Sequence, residues 1–451
     1  MKVNITMVGV GYVGLVTGAC FAELGHDVIC VDKDPRKIDL LNSGGISIYE
    51  PGLKELVGRN VKAGRIRFST DVPQSVKGRD AVFIAVGTPS LKETGHADLK
   101  YVHAAAAEVG ANIDRFTVIV TKSTVPVGTN AAVARIVSEN IQAGATYGVA
   151  SNPEFLREGA AISDFIEPDR VVVGVEDPQA LKVMEAIYAP LTAQNRPLVI
   201  TNIKTAEMIK YAANAFLATK VSFINEIADL CEAVGADVDE LARGIGLDHR
   251  IGSAFLRPGP GWGGSCFPKD TRALSMTAQD AEISVSIVDA AIQANDRRKE
   301  LIAERVVQAC GGSLEGKRVA ALGVTFKGQT DDMRDSPALD ILPRIAEAGA
   351  KVVAFDPSNP EEAETLLPMI EMADSVEAAA EGADVLVVVT DWMIFKTYDL
   401  EDLAKIMKTP ILVDLRNLFT ARTALESGFT AYHCLGRPAE RATHPNLRAV
   451  S

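Results

Sequence analysis

The sequence predicts an α/β protein in which two doubly wound domains flank a helical middle region carrying one long central helix. Three observations predict it. In the first third, short runs rich in Val and Ile alternate with stretches of helical length. From Thr205 to Val234 the texture changes to Ala-rich sequence nearly free of Gly and Pro. After Gly316 the first texture returns. A chain of 451 residues has room for two to four domains at ~100–200 residues each, and the changes of texture divide it into 1–200, 201–310 and 311–451.

The expected strands of the first part are Val3–Val10, Val28–Val31, Ala81–Val86, Thr117–Val120 and Val149–Ser151. Several lack in/out alternation, as strands do when helices cover both faces of a parallel sheet. Leu15–Leu24, Pro35–Leu41 and Leu99–Ile113 are long enough to be crossover helices. The stretch Thr205–Val234 has apolar residues at helical spacing and reads as one long helix, or two joined end to end, closing at Gly235. Arg257-Pro258-Gly259-Pro260-Gly261-Trp262-Gly263-Gly264-Ser265-Cys266 must be irregular backbone, and a helical stretch over about Thr271–Cys310 follows it. Val319–Gly323, Val352–Phe355, Val385–Val389 and Ile411–Val413 repeat the strand signal, with an amphipathic helix at Ala338–Ala348. The second strand here ends in Asp356, as the second N-terminal strand ends in Asp32. The two parts repeat an architecture rather than a sequence.

With 47% apolar and 23% charged residues, the composition is that of an ordinary globular protein and excludes disordered and low-complexity classes. Lys and Arg number 46 against 59 Asp and Glu, a net charge of −13 with no block of like charge. Nucleic acid and an anionic membrane are therefore not expected as partners. An anionic small substrate requires a local cluster of cations. The six cysteines contain no CxxC pair. Neither a disulfide framework nor a metal site is expected, and a reducing, cytoplasmic setting is. The uncharged stretch Met7–Ala22 is glycine-rich and shorter than a membrane span of ~20 residues.

Gly9-Val10-Gly11-Tyr12-Val13-Gly14 follows a strand and opens a helix. In such a G-x-G-x-x-G turn the first glycine permits the tight bend and the second lets the backbone approach a pyrophosphate. The third lets helix and strand pack closely. Asp32, about 20 residues on, stands where a carboxylate binds a ribose 2′-hydroxyl, which favours NAD over NADP. Lys33 and Lys37 lie near enough to blur that preference. Thr88, Ser123 and Thr124 follow two further strand ends, where ligands of open α/β sheets sit; ordinary turn chemistry also accounts for each of them.

Cys266 lies between a glycine run and Phe267-Pro268-Lys269-Asp270, on backbone able to approach a ligand closely. The pattern alone leaves a nucleophile and a buried structural cysteine equally open. Lys210 and Asn214 share one face of the long helix at i, i+4, a pair suited to a developing oxyanion, though a solvated lysine beside a satisfied asparagine reads as well. The carboxylates of Asn152-Pro153-Glu154-Phe155-Leu156-Arg157-Glu158 suit acid–base work or a solvated loop.

Together these segments resemble the UDP-glucose 6-dehydrogenase family within the wider nucleotide-sugar dehydrogenases. The resemblance spans essentially the whole chain: GVGYVGLVTGACFAELGHDVICVD, VGTPS, KSTVPVGT, SNPEFLREG, AEMIKYAANAFLATKVSFINE, RPGPGWGGSCFPKD, FKGQTDDMRDSP and DLRN. It implies two Rossmann-like domains joined by a central helix on which a homodimer forms. It also implies four-electron oxidation of UDP-glucose to UDP-glucuronate by two NAD; GDP-mannose or a UDP-N-acetylhexosamine is the alternative substrate. Carried over residue by residue, Cys266 is similar to the family nucleophile, Lys210 and Asn214 to its oxyanion pair, and Asp270 to a proton-moving aspartate. Thr124 and Glu154 are similar to groups supporting a water. The cofactor is expected on Gly9, Val10, Gly11, Tyr12, Val13, Gly14, Asp32, Lys37, Thr88, Thr124, Glu158, Lys269 and Arg334. The substrate is expected on Glu154, Phe155, Leu156, Arg157, Glu158, Lys210, Asn214, Arg250, Phe255, Leu256, Arg257, Pro258, Gly259, Gly263, Phe326, Lys327 and Arg416. Trp262 departs from the family pattern, where many relatives carry Phe.

Overall fold

In the computed structural model, residues 2–89, 91, 95–358 and 362–442 are described. The chain divides into two compact units, Met1–Ala213 with Arg272–Ser284 and Asn214–Thr271 with Val285–Ser451. Ser90, at the end of VGTPS, lies outside the described residues.

The first unit is built on an eight-stranded sheet: β1 (Asn4–Val8), β2 (Asp27–Val31), β3 (Ile66–Ser69), β4 (Ala81–Ile84), β5 (Thr117–Thr121), β6 (Tyr147–Ser151), β7 (Val171–Val175) and β8 (Leu198–Thr201), in the order β3-β2-β1-β4-β5-β6-β7-β8. All neighbours are parallel except β6 and β7. Ile5 and Met7 stand beside Val28 and Cys30 on one neighbouring strand, and beside Ala81 and Phe83 on the other. Every residue of β4 and β5 is buried. Alternate residues enter different cores: Ile5, Met7, Phe83 and Val120 join one, Val8, Val82, Ile84 and Ile119 the other. Helices therefore cover both faces, which is why these strands carry no polar alternation.

In this sheet three strands lie outside the runs expected from sequence, as the strands Glu371–Met372, Ala431–Cys434 and Glu440–Arg441 do in the second sheet. β3 is a short segment, IRFS, whose residues are mostly half-buried or exposed, and β8 is an edge strand with two exposed residues. β7, VVVGV, is a short apolar run, which periodicity alone does not distinguish from a helix interior. Its Gly174 is demanded by packing: a Cβ there would lie 2.6 Å from Ala206 Cβ and 2.8 Å from Ile203 Cα, at the start of the long helix.

That helix, Ile203–Val234, has 32 residues and at 1.5 Å per residue is about 48 Å long. It begins in the first unit, continues into the second, and ends at Gly235 with φ +77°. The stretch expected as helical over 271–310 is two helices, Phe267–Asp280 and Ser286–Ala309, interrupted where Glu282 adopts φ +58°. Ile283, Ser284 and Val285 fill the break, residues with weak helix preference.

The second unit holds a seven-stranded sheet: β9 (Arg318–Leu322), β10 (Lys351–Phe355), β11 (Glu371–Met372), β12 (Val385–Val388), β13 (Ile411–Asp414), β14 (Ala431–Cys434) and β15 (Glu440–Arg441), in the order β11-β10-β9-β12-β13-β14-β15. Only the β14–β15 pair is antiparallel. Its two faces are again separate cores, with Val319, Val352 and Val387 in one and Ala320, Leu386 and Val388 in the other. In both sheets the first three strands run outward from β1 or β9 and the chain then returns to the other side, the topological switch that opens a crevice at the strand ends. Among the described residues no helix is long and apolar enough to cross a membrane.

Candidate active site

In the first unit, β1 ends in the glycine turn. Gly9 donates its N–H to Val31 O at 2.8 Å and adopts φ +103°. A Cβ on it would lie 2.5 Å from Ala85 O, and one on Gly14 would lie 2.0 Å from Gly9 O. One on Gly11 would meet nothing within 4 Å. The first and third glycines are thus required by the turn and the packing, while the second leaves its space open, as a pyrophosphate needs. Asp32, half-buried at the end of β2, accepts the Val10 N–H at 2.9 Å and the Asp34 N–H at 3.0 Å. These groups fit a dinucleotide. Tyr12 and Val13 open the first helix, and Lys37 is half-buried on the helix Pro35–Asn42. Thr88 is buried and donates its hydroxyl to Thr124 O at 2.9 Å; Ser123 donates to Val86 O at 2.7 Å.

After β6 the segment 152–158 turns over the strand ends. Glu154 is buried and accepts Lys210 Nζ at 2.9 Å on one oxygen and the Leu156 N–H at 2.6 Å on the other. Burial opposes its ionisation, but the charge and hydrogen bond of Lys210, the Leu156 N–H and the charge of Lys122 hold it below the usual carboxylate range. The Phe155 ring lies under Arg170, with Cζ 3.7 Å from its centroid, and Lys210 Nζ is 5.4 Å from it. Leu156 packs against the first core. Glu158 is half-buried, whereas Arg157 is exposed and held by Asp164 at 2.6 Å.

In the second unit, Asn214 stands one turn beyond Lys210 on the long helix and donates to Asp270 Oδ2 at 2.6 Å. Asp270 is fully buried and its other oxygen accepts Lys269 Nζ at 2.5 Å. Cys266 precedes the helix Phe267–Asp280, its carbonyl accepts the Asp270 N–H, and its Sγ lies 3.5 Å from Ser265 Oγ. The positive end of that helix favours negative charge at this position. Of the six cysteines, all unbridged, Cys266 alone is not buried.

The loop before Cys266 is held by side chains of two helices. Asn225 accepts the Gly259 N–H at 2.8 Å, and Arg298 donates to Gly259 O at 3.1 Å. Asn295 bonds both the N–H and the carbonyl of Trp262. Trp262 Nε1 donates to Ser222 Oγ at 2.9 Å, a bond that Phe in its place could not form. Phe255 takes φ +62° and its ring lies tilted against that of Phe267, centroids 6.0 Å apart; Leu256 is buried with Ile224 and Val238. Pro258 is buried. Arg257 donates to Arg416 O at 2.6 Å, while Arg416 donates to Val389 O at 2.8 Å and Phe326 O at 3.0 Å. The Arg416 guanidinium lies 3.2 Å from where a Gly259 Cβ would be, and a Cβ on Gly263 would lie 2.0 Å from Asp335 O. Lys327 Nζ is 5.3 Å from the Phe326 ring centroid. Arg257, Lys327 and Arg416 are three cations in the second unit of a chain that is acidic overall. Arg334 and Arg250 are exposed and engaged by Asp332 and Asp248.

Sequence profiles of the UDP-glucose/GDP-mannose dehydrogenase family match its NAD-binding domain at residues 3–192, its central domain at 204–297 and its UDP-binding domain at 320–421. The chain belongs to this family. As a member of the UDP-glucose/GDP-mannose dehydrogenases, it carries the NAD-binding domain on the first unit's sheet. It is 55% identical over 438 residues to a UDP-glucose 6-dehydrogenase of Rhizobium meliloti (strain 1021), covering 96% of this chain and all of that one. It is 46% identical to a UDP-glucose 6-dehydrogenase of Bacillus subtilis (strain 168), covering 98% and 95%. The solved UDP-glucose dehydrogenase of Pyrobaculum islandicum superposes with a TM-score of 0.87 at 36% identity, covering 96% and 97%.

Several residues of this dehydrogenase escape a reading of the sequence. Lys122, at the end of β5, is buried, donates to Asn152 Oδ1 at 3.1 Å, and is pushed by burial down to about 8. Arg170, Asn225, Asn295 and Arg298 position Phe155 or the cysteine loop from a distance in sequence. Only their burial and partners reveal them, and no local spacing signals either.

Proposed function

We propose that the chain oxidises the C6 alcohol of UDP-glucose to the carboxylate of UDP-glucuronate, with two NAD reduced per sugar. The observation that carries this reading is Cys266: the one unburied cysteine, at a helix N-terminus, four residues before an aspartate bonded to Asn214 and Lys269. A dehydrogenase that stops at a carbonyl has no need of a thiol there. The 55% identity to a UDP-glucose 6-dehydrogenase favours UDP-glucose over other nucleotide sugars.

NAD held at the glycine turn supplies the acceptor for both hydrides. A general base takes up the C6 hydroxyl proton as the alcohol becomes an aldehyde, and Asp270 helps to move protons. The Cys266 thiolate then adds to the aldehyde carbon, forming a C–S bond and an oxyanion that protonates to a thiohemiacetal. Lys210 and Asn214 donate to that oxyanion. Oxidation of the adduct leaves a thioester. Water, supported by Thr124 and Glu154, adds to it; the C–S bond breaks, releasing the carboxylate and regenerating the thiolate. Phe155, Leu156, Arg157, Arg250, Phe255–Gly259, Gly263, Phe326, Lys327 and Arg416 contact the substrate, and Glu158, Lys269 and Arg334 contact the cofactor.

Residues 1–200 serve as the NAD-binding domain, 201–310 as the helical dimerisation domain and 311–451 as the UDP-sugar-binding domain, in keeping with the three family profiles. The long helix supports a homodimer: Phe216, Phe223 and Leu230, seven apart, and Val234 are 66%, 49%, 56% and 67% exposed in the single chain. An apolar stripe of this kind marks an association surface.

The test is stoichiometry. Purified protein is given UDP-glucose, GDP-mannose and UDP-N-acetylglucosamine separately, and NADH formed is counted against sugar consumed. The expected result is two NADH per UDP-glucose and little turnover of the others. A ratio of one, with free aldehyde accumulating, overturns the cysteine relay.

A further inference from the structure

Outside the residues used above, the first unit contains a carboxylate whose partners tie together two segments far apart in sequence. Glu50 belongs to Tyr49-Glu50-Pro51-Gly52, a turn leading into the helix Leu53–Lys62. It is buried, at 7% exposure. One oxygen accepts the Tyr12 hydroxyl and, at 2.7 Å, the Gly159 N–H; the other accepts the Ala161 N–H at 2.8 Å. The Tyr12 hydroxyl oxygen itself accepts the Gly159 N–H at 3.1 Å.

A buried carboxylate is tolerated when donors surround it, and here the donors come from two places. Tyr12 lies inside the glycine turn, between its second and third glycines. Gly159 and Ala161 follow Glu158 and begin the short helix Ala161–Ile166, whose own N-cap residue, Ala160, has no side-chain cap. Burial and the Glu50 charge push the Tyr12 phenol above its ordinary range, which keeps it a donor. If Glu50 served only to cap that helix, it would have no need of the tyrosine of the dinucleotide turn.

We propose that Glu50 is a positioning residue for the cofactor: by joining Tyr12 to Gly159 and Ala161, it locks the glycine turn to the segment carrying Glu158, so that NAD meets two preorganised walls instead of ordering them on binding. The proposal rests on the NAD-binding reading of the turn and not on the identity of the sugar.

The experiment compares wild type, Glu50→Gln, Tyr12→Phe and the double variant. The Kd for NAD is measured by calorimetry without substrate, and KM for NAD and for UDP-glucose by initial rates. The near-isosteric amide replaces an acceptor by a donor facing the backbone N–H groups. Its NAD Kd and KM should rise roughly tenfold, with the UDP-glucose KM within about twofold of wild type. Tyr12→Phe should act in the same direction, and the double variant should lose less than the product of the two single losses, because both remove the same link. Unchanged NAD affinity in folded variants, an equal rise in both KM values, or multiplicative losses each overturn the proposal. Should Glu50→Gln not fold, Glu50→Asp, which keeps the charge and shortens its reach, decides instead: a raised NAD Kd supports the link and an unchanged one overturns it. Failure of the wild type to oxidise UDP-glucose would sink the substrate reading and leave the calorimetric comparison intact.

Discussion

Asp356 stands in the second sheet where Asp32 stands in the first: each follows the second strand in sequence and accepts the N–H of the valine after the leading glycine, Val324 at 2.8 Å and Val10 at 2.9 Å. The leading glycines match as well. Gly323 donates to Phe355 O with φ +91°, as Gly9 donates to Val31 O with φ +103°. The two turns then diverge. Thr325 occupies the place of Gly11, and its N–H, its hydroxyl and Trp392 Nε1 all converge on Asp356 Oδ2. Ser358 takes the other oxygen. Asp356 is 2% exposed and its acceptor capacity is spent inside the protein, whereas Asp32 is only half-buried. The second sheet keeps the turn, but its aspartate is taken up by the protein's own donors.

One NAD per chain is therefore expected by calorimetry, and Asp32→Ala should weaken it by roughly 1.5–3 kcal/mol, the usual worth of a charged hydrogen bond, with the UDP-glucose KM little changed. Arg416→Ala should do the reverse. Equal weakening of both ligands by Arg416→Ala would refute this division of labour.

Cys266→Ser should turn over several orders of magnitude more slowly, because an alkoxide leaves an ester less readily than a thiolate leaves a thioester. Intact mass spectrometry should find the sugar acyl group retained on the protein. Near-normal turnover in the serine variant would remove Cys266 from the nucleophile's role.

Lys122 makes stability depend on pH in a direction unusual for a lysine. Its value falls from 10.5 to about 8 in the folded protein. Between those values the unfolded chain binds the extra proton, so stability rises with pH across that window. Below about pH 8 the buried charge costs the folded state roughly 3 kcal/mol. Lys122→Met should be the more stable protein in urea at pH 7, with its advantage shrinking as pH rises from about 8 to 10. A constant gap across that range would show that Lys122 does not titrate there.

Sedimentation at micromolar concentration should find the homodimer proposed above for the wild type, and a monomer for Phe223→Asp, on the exposed stripe of the long helix. The substitution should leave the far-UV circular dichroism unchanged. A variant that sediments like the wild type would rule out this stripe as the dimer contact.

Much of the fold is legible in the sequence because its strands are buried on both sides: β4 appears as an uninterrupted apolar run and β5 as three apolar residues between two threonines. The edge strand β8 and the short β3 lack that signature. The glycine turn is legible for a different reason, since three glycines at fixed spacing record backbone needs that Gly9 and Gly14 still show. What stays hidden is every residue that acts by closing a distance in space. Asn295 reaches Trp262 across 33 positions, and Glu50 reaches Ala161 across 111. Neither separation leaves a periodic trace. Lys122 is the extreme case: in Lys-Ser-Thr-Val-Pro it reads as a solvated turn lysine, and only the helices and strands packed around it make it a buried charge.

The distribution of thiols gives the molecule a chemical address. Five cysteines are closed off in the cores, and the sixth stands half-open at the end of a glycine-rich loop. An alkylating reagent too large to enter the cores has a single place to react on the folded chain. One label per polypeptide, blocked by bound sugar nucleotide, would count competent sites directly. The same selectivity exposes the protein to oxidants. Among the thiols, a dilute peroxide finds only this one outside the cores, so its oxidation should abolish activity while the fold, its cores untouched, still melts as a native protein does.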